Sequence, residues 1–136
     1  MDAKAARDFV RENHRAILVT RRRDKSPQLS PIVVAADQAG HLVVSTRETA
    51  VKVRNLRRDP TYDMVVFTDR FFGAWISVRG QARVISLPGA LAGLEQYYRD
   101  VSGEHPGWEE YRAAMVAERR VLLELEIAEV GPAVMG

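Results

Sequence analysis

Three apolar segments, AILVTRRR (Ala16–Arg23), QLSPIVVAA (Gln28–Ala36) and HLVVST (His41–Thr46), follow one another with gaps too short to hold a helix. Parallel neighbours need a crossover of a dozen residues or more, so strands this close in sequence pair antiparallel, as a meander. Asp24, Lys25 and Ser26 form the first turn, Pro27 opens the second strand, and DQAG (Asp37–Gly40) forms the second turn. The pattern resumes further on. MVVFT (Met64–Thr68) reads as a fourth strand, and WISVRGQARVISL (Trp75–Leu87) as a long fifth, with Gly80 marking a bulge or bend. VLLELEIAEV (Val121–Val130) reads as a closing sixth that alternates leucine with glutamate, apolar inward and acidic outward.

Helical spacing fills the connections. Asp2–Asn13 carries Ala6, Phe9 and Val10 on one face. From Thr49 to Asp59 the apolar residues Ala50, Val53 and Leu56 recur every third position, with Thr49 as N-cap and Pro60 as the stop. A helical insert spans residues 88–120. Its first helix runs from Pro88 to Val101, SGEHPG interrupts it, and a second runs from Trp108 to Arg120 with Trp108, Tyr111, Met115 and Val116 along one side. Together these elements predict one domain over residues 1–136, mainly β in an α+β mixture: an antiparallel barrel with short helical connections.

Several chemistries are missing. The chain has no cysteine, which excludes disulfides, thiolate metal sites and a cysteine nucleophile, and points to the reducing cytoplasm. The start, DAKAARDF, is charged and amphipathic rather than leader-like, and no apolar run approaches the roughly 20 residues of a membrane span. GxxxxGK[ST], GxGxxG, HExxH and GxSxG are absent. His14, His41 and His105 show no ligand spacing, so no metal site is expected, and Glu124 and Glu126 read as a solvated strand face. No catalytic side chain is assignable. An enzyme on this scaffold takes its hard chemistry from a bound cofactor.

Net charge is only +2, but the cations are clustered. One group is Arg21, Arg22, Arg23 and Lys25. The other lies in VVSTRETAVKVRNLRRDP (Val43–Pro60), which carries Arg47, Lys52, Arg54, Arg57 and Arg58. Cations so close repel unless an anion sits among them: solvent ions, a nucleic-acid backbone or a phosphorylated cofactor. A phosphate is held by hydroxyls, by N–H groups at a helix start and by cations reaching across. Ser45, Thr46, Thr49, Lys52 and Asn55 supply that set. Nucleic acid is disfavoured, because no aromatics are interleaved to stack bases.

STRETAVKVRNLRRDP (Ser45–Pro60) resembles the phosphate-binding strand–helix of the pyridoxamine 5'-phosphate oxidase-like split β-barrel superfamily. More narrowly, it resembles the B-type actinobacterial flavin/deazaflavin oxidoreductases that use coenzyme F420. SPQLSPIVV is similar to that family's second strand and AWISVRGQARV to its tryptophan-bearing long strand. YYRDVSGEHPGWEEYRAAMVAERRVLLELEI is similar to its insert and last strand, so nearly the whole chain is covered. The resemblance implies a six-stranded antiparallel split β-barrel of the FMN-binding kind. It also implies a homodimer with cofactor sites at the subunit interface, and hydride transfer between reduced coenzyme F420 and an unsaturated or conjugated small molecule. An FMN-dependent oxidase or reductase, or a non-catalytic flavin-binding protein, is the alternative on the same fold.

Carried across residue by residue, Ser45, Lys52 and Asn55 fall on positions associated with the cofactor's phosphate-bearing tail. Thr46, Arg47, Thr49, Ala50 and Val53 belong to the same motif. Gln28, Leu29, Ser30, Pro31 and Ile32 lie on the strand that flanks the ring system, largely through backbone. Trp75 matches the family's tryptophan near the site, on its own subunit or the partner's. The loop Asp69–Gly73, with Phe71 and Phe72, is a candidate pocket wall. Two positions depart from the pattern: Ala50 stands where relatives carry arginine, and Pro31 where they carry a polar residue.

Overall fold

The computed structural model describes residues 1–131 and 134–135. Helix α1 (Ala3–Glu12) starts where Asp2 accepts a hydrogen bond from the Ala5 N–H, a side-chain N-cap. It buries Ala6 and Val10. Strands β1 (Arg15–Arg21) and β2 (Pro27–Val33) form a hairpin in which Ile17 faces Pro31 and Val19 faces Leu29. Lys25 turns it in the left-handed region at φ 73°. After β2 the chain breaks at Val34, whose N–H donates to the His14 carbonyl and whose own carbonyl meets His14 Nδ1, both at 2.8 Å. This latch ends pairing with β1 and releases β3 (Ala35–Ala36) to pair with β4 (Leu42–Arg47).

The expected meander is therefore corrected. The body of the second strand never pairs with the third, and only β3 does. Strand β5 (Thr61–Phe67) pairs with β1, and β4 pairs with the late strand β7 (Arg120–Leu125). Strand β6 (Ala74–Ile85) joins the halves, with residues 75–81 on β5 and residues 82–85 on β7. The path runs β2-β1-β5-β6-β7-β4-β3, seven strands rather than six. The closing strand also breaks: β7 stops at Leu125, and β8 (Glu129–Val130) and β9 (Val134–Met135) return to β6. The crossing point is Gly80, where an added Cβ would collide with the Glu126 carbonyl. Gly80 is thus a site of close backbone approach.

Helix α2 (Val51–Arg58) buries Val53, Asn55 and Leu56. Its N-cap is Ala50, not Thr49, and no side chain caps it. The reason is a tight turn in which the Ala50 N–H reaches the Arg47 carbonyl at 3.0 Å, delaying the helix by one residue. Helices α3 (Leu91–Ser102) and α4 (Trp108–Ala117) form the insert. Helix α4 stops three residues before Arg120, because Arg119 takes φ 52° and sends Arg120 into β7. Val116, expected on the apolar side, is exposed.

Two apolar clusters result. The barrel interior packs Leu18, Val44, Tyr62, Val66, Ile76 and Leu123 under α1 and α2. A second cluster, with Val43, Leu94, Tyr111, Met115 and Leu122, glues the insert to the outer face of the β4–β7 sheet. Among the described residues no helix covers the outer face of the β2–β1–β5 sheet. Leu29 is 59% exposed and Val33 41% there. No helix among the described residues is long and apolar enough to cross a membrane.

Candidate functional site

Strand β2 is the free edge of its sheet, and β4 with the start of α2 faces it across a cavity of about 390 Å³. Pro31, Ile32 and Val33 form the edge wall; Ser45, Thr46 and Lys52 form the opposite one. Tyr97 of α3 and Arg120 of β7 close the end. The Tyr97 hydroxyl donates to the Val33 carbonyl at 2.8 Å, tying the insert to the edge strand.

The electrostatics of this groove are one-sided. Among the described residues no carboxylate lines it. Lys52 is half-buried and has no ion pair or side-chain hydrogen bond among the described residues. Burial, and then the nearby Arg120, hold its ammonium below the ordinary lysine range. Among the described residues the Arg120 side chain keeps one partner, Glu118, which its Nε reaches at 3.0 Å. The Tyr97 hydroxyl is pushed up by burial, against the opposing effects of a Ser45 backbone hydrogen bond and Arg120. A desolvated cation beside a second cation is a place where an anion lowers the energy.

Of the residues singled out in the sequence, Pro31, Ile32, Ser45, Thr46 and Lys52 meet in this groove. The others lie elsewhere. Gln28 sits near the hairpin end, bonded to Arg22 at 2.7 Å, and Leu29 points to the exposed sheet face. Ser30 is half-buried between them and the groove. Arg47 reaches Glu118 at 3.4 Å from the surface, Thr49 is exposed, and Ala50 packs against the barrel core. Val53 is fully buried in that core. Asn55 is buried too: its Nδ2 donates to Thr20 Oγ1 at 3.1 Å, and its Oδ1 accepts from Arg58 at 2.8 Å. Trp75 faces Phe67, which faces Arg15, which faces Val33. Three strand spacings, about 14 Å, separate Trp75 from the groove wall within one chain.

Sequence reasoning missed Tyr97 and Arg120. Both come from segments that read as an insert helix, and only the β4–β7 pairing, with Arg47 opposite Arg120, brings the latter to Ser45. Folding also gathers Asp37, His41 and Glu124. Asp37 Oδ1 accepts from the Ala39 and His41 N–H groups and Glu124 holds Arg83 at 2.7 Å, whereas the buried His41 Nδ1 has no hydrogen-bond partner among the described residues.

A family model described as pyridoxamine 5'-phosphate oxidase matches residues 3–132. Among solved structures, a conserved hypothetical protein from Mycobacterium tuberculosis superposes with a TM-score of 0.76 at 21% identity, covering 96% of this chain and 82% of that one. An F420 reductase superposes at 0.68 and 20% identity, covering 91% and 94%. A heme storage protein from Vibrio cholerae superposes at 0.72 and 15% identity, covering 100% and 98%. At these identities the structural likeness establishes the fold.

Proposed function

Because the chain belongs to the pyridoxamine 5'-phosphate oxidase family, we propose that it is an oxidoreductase whose groove between β2 and α2 holds coenzyme F420, with FMN the alternative occupant. The observation that carries this is Lys52, a half-buried cation with no carboxylate partner among the described residues, set beside Arg120. The donor set suits a phosphate-bearing deazaflavin. Lys52 and Arg120 attract the phosphate, and the Ser45 and Thr46 hydroxyls border it. The free edge of β2 offers unpaired backbone groups to a ring system. Proline is tolerated at such an edge, so Pro31 leaves the strand intact. The cofactor would supply the hydride for an unsaturated or conjugated small molecule. The protein's own part is to hold the anion, orient the ring and wall off water on one side. That an F420 reductase shares the fold supports this choice of cofactor.

A homodimer completes the reading. The uncovered sheet face presents Leu29, Pro31, Val33, Ile17 and Val19 in register, an apolar surface next to the groove. A second copy seated there would bring another chain's Trp75 toward the groove that its own Trp75 does not line. Phe71 and Phe72, 77% and 72% exposed, flank the same face.

Fluorescence titration of the purified apo-protein with coenzyme F420, and separately with FMN, tests the proposal. Micromolar or tighter binding of coenzyme F420 with much weaker FMN binding is expected. Each charge-assisted hydrogen bond contributes roughly 1.5–3 kcal/mol, so Lys52→Ala should weaken binding by about one to two decades. Preferential FMN binding moves the function to flavin chemistry. Binding of neither overturns the reading.

A further inference from the structure

A second cavity, of about 550 Å³, adjoins the Lys52 groove, and the two share Ser45, Tyr97 and Arg120 as a common wall. Its far side is built by the insert, from Tyr98 of α3, His105 of the connecting loop, and Tyr111 and Ala114 of α4. The two compartments differ in charge. Among the described residues the groove is lined by Lys52 and Arg120 without a carboxylate, whereas the second cavity is lined by Glu110 and Glu118 with Arg120. A polyanion is drawn to the first and repelled from the second.

The walls of the second cavity are aromatic. Tyr98, His105 and Tyr111 lie with ring centroids 4.9 to 5.4 Å apart. Such a surface receives a flat ring by stacking or edge contact. The Gly107 N–H donates to His105 Nδ1 at 2.8 Å. The acceptor nitrogen carries no proton, so the ring's proton sits on Nε2, a donor with no hydrogen-bond partner among the described residues. Such a donor suits a carbonyl oxygen.

We propose that this cavity binds an uncharged, ring-bearing carbonyl compound, independently of what occupies the groove.

Trp108 reports on the cavity, because its ring packs on Tyr98 and Tyr111 at 5.9 and 5.4 Å. In a Trp75→Phe background it is the only tryptophan, since the chain has two. Titration with menadione, an uncharged quinone, should quench it saturably. 1,4-Naphthoquinone-2-sulfonate should bind at least tenfold more weakly. Ala114→Leu, which fills the cavity from α4, should weaken menadione tenfold or more at unchanged Tm while coenzyme F420 titration is retained. Should that variant fail to fold, Glu110→Gln decides: Glu110 is exposed, and its loss should narrow the gap between the two quinones. Unsaturable quenching, equal affinity for both quinones, or indifference to Ala114→Leu in a folded protein would overturn the cavity. Menadione binding without coenzyme F420 or FMN binding keeps the cavity and overturns the coenzyme reading. Coenzyme binding without menadione binding overturns the cavity and leaves the coenzyme reading standing.

Discussion

Burial and Arg120 lower the Lys52 pKa, and this sets how the groove's grip on an anion depends on pH. The charged ammonium is the attracting form, so the proposed affinity is expected at neutral pH and should fade as pH rises through a value below the ordinary 10.5. Affinity for coenzyme F420 measured from pH 7 upward should fall before pH 10.5. Lys52→Arg, which stays charged, should carry binding to higher pH. In the ligand-free protein the contribution of Lys52 to stability has the opposite sign: the unfolded chain keeps the proton longer, so that contribution grows as pH climbs toward 10.5. Tyr62, Tyr97 and Tyr111, whose hydroxyls burial pushes up, act against it in the same range. Asn55 shows where residue-level reading stops. Lys52 and Asn55 lie three apart, so they share a side of the helix, yet about 60° separates their directions. That angle sends one to the groove and the other to the fully buried Thr20. Asn55→Ala orphans the Thr20 hydroxyl and releases Arg58, and should cost about 1–3 kcal/mol in urea denaturation. A variant that kept its stability and lost anion affinity would return Asn55 to the groove.

Among the elements, the strands and the α2 helix were readable because their periods are short-range properties. A short apolar run marks β1, alternation marks β7, and spacing by three marks α2. Their ends were not. Nothing in VAERRVLL is a helix breaker, so α4 reads through to Arg120. The stop comes from the sheet, which requires Val121, Leu122 and Leu123 buried in extended chain. That demand puts Arg119 in the left-handed region and carries Arg120 to the groove. Gly80 was legible as an irregularity, but its cause, the crossing Glu126 backbone, was not. Gly80→Ala should therefore destabilise the protein well beyond the cost of an ordinary strand substitution, by roughly 1–3 kcal/mol in a denaturant midpoint shift. A midpoint within error of wild type would mean that the crossing chain moves aside freely.

At the scale of the molecule, pairings such as β1 with β5 and β4 with β7 join segments far apart in sequence, and no local pattern specifies them. The groove inherits this: its walls come from residues 31 to 120, which is why the motif in α2 was visible and the closing pair Tyr97 and Arg120 was not. The uncovered sheet face makes its own prediction. Leu29→Glu touches an exposed side chain and should leave the fold intact while converting the expected homodimer to monomer in sedimentation. An unchanged mass would sink the dimer. Strand β6, finally, belongs to both sheets, with its first half on β5 and its second on β7. Neither sheet can dissolve without pulling away a strand the other needs. Unfolding should therefore be a single cooperative event. Far-UV circular dichroism and tryptophan fluorescence should lose their native signals at one common midpoint, and the slowest-exchanging amides should gather along β6.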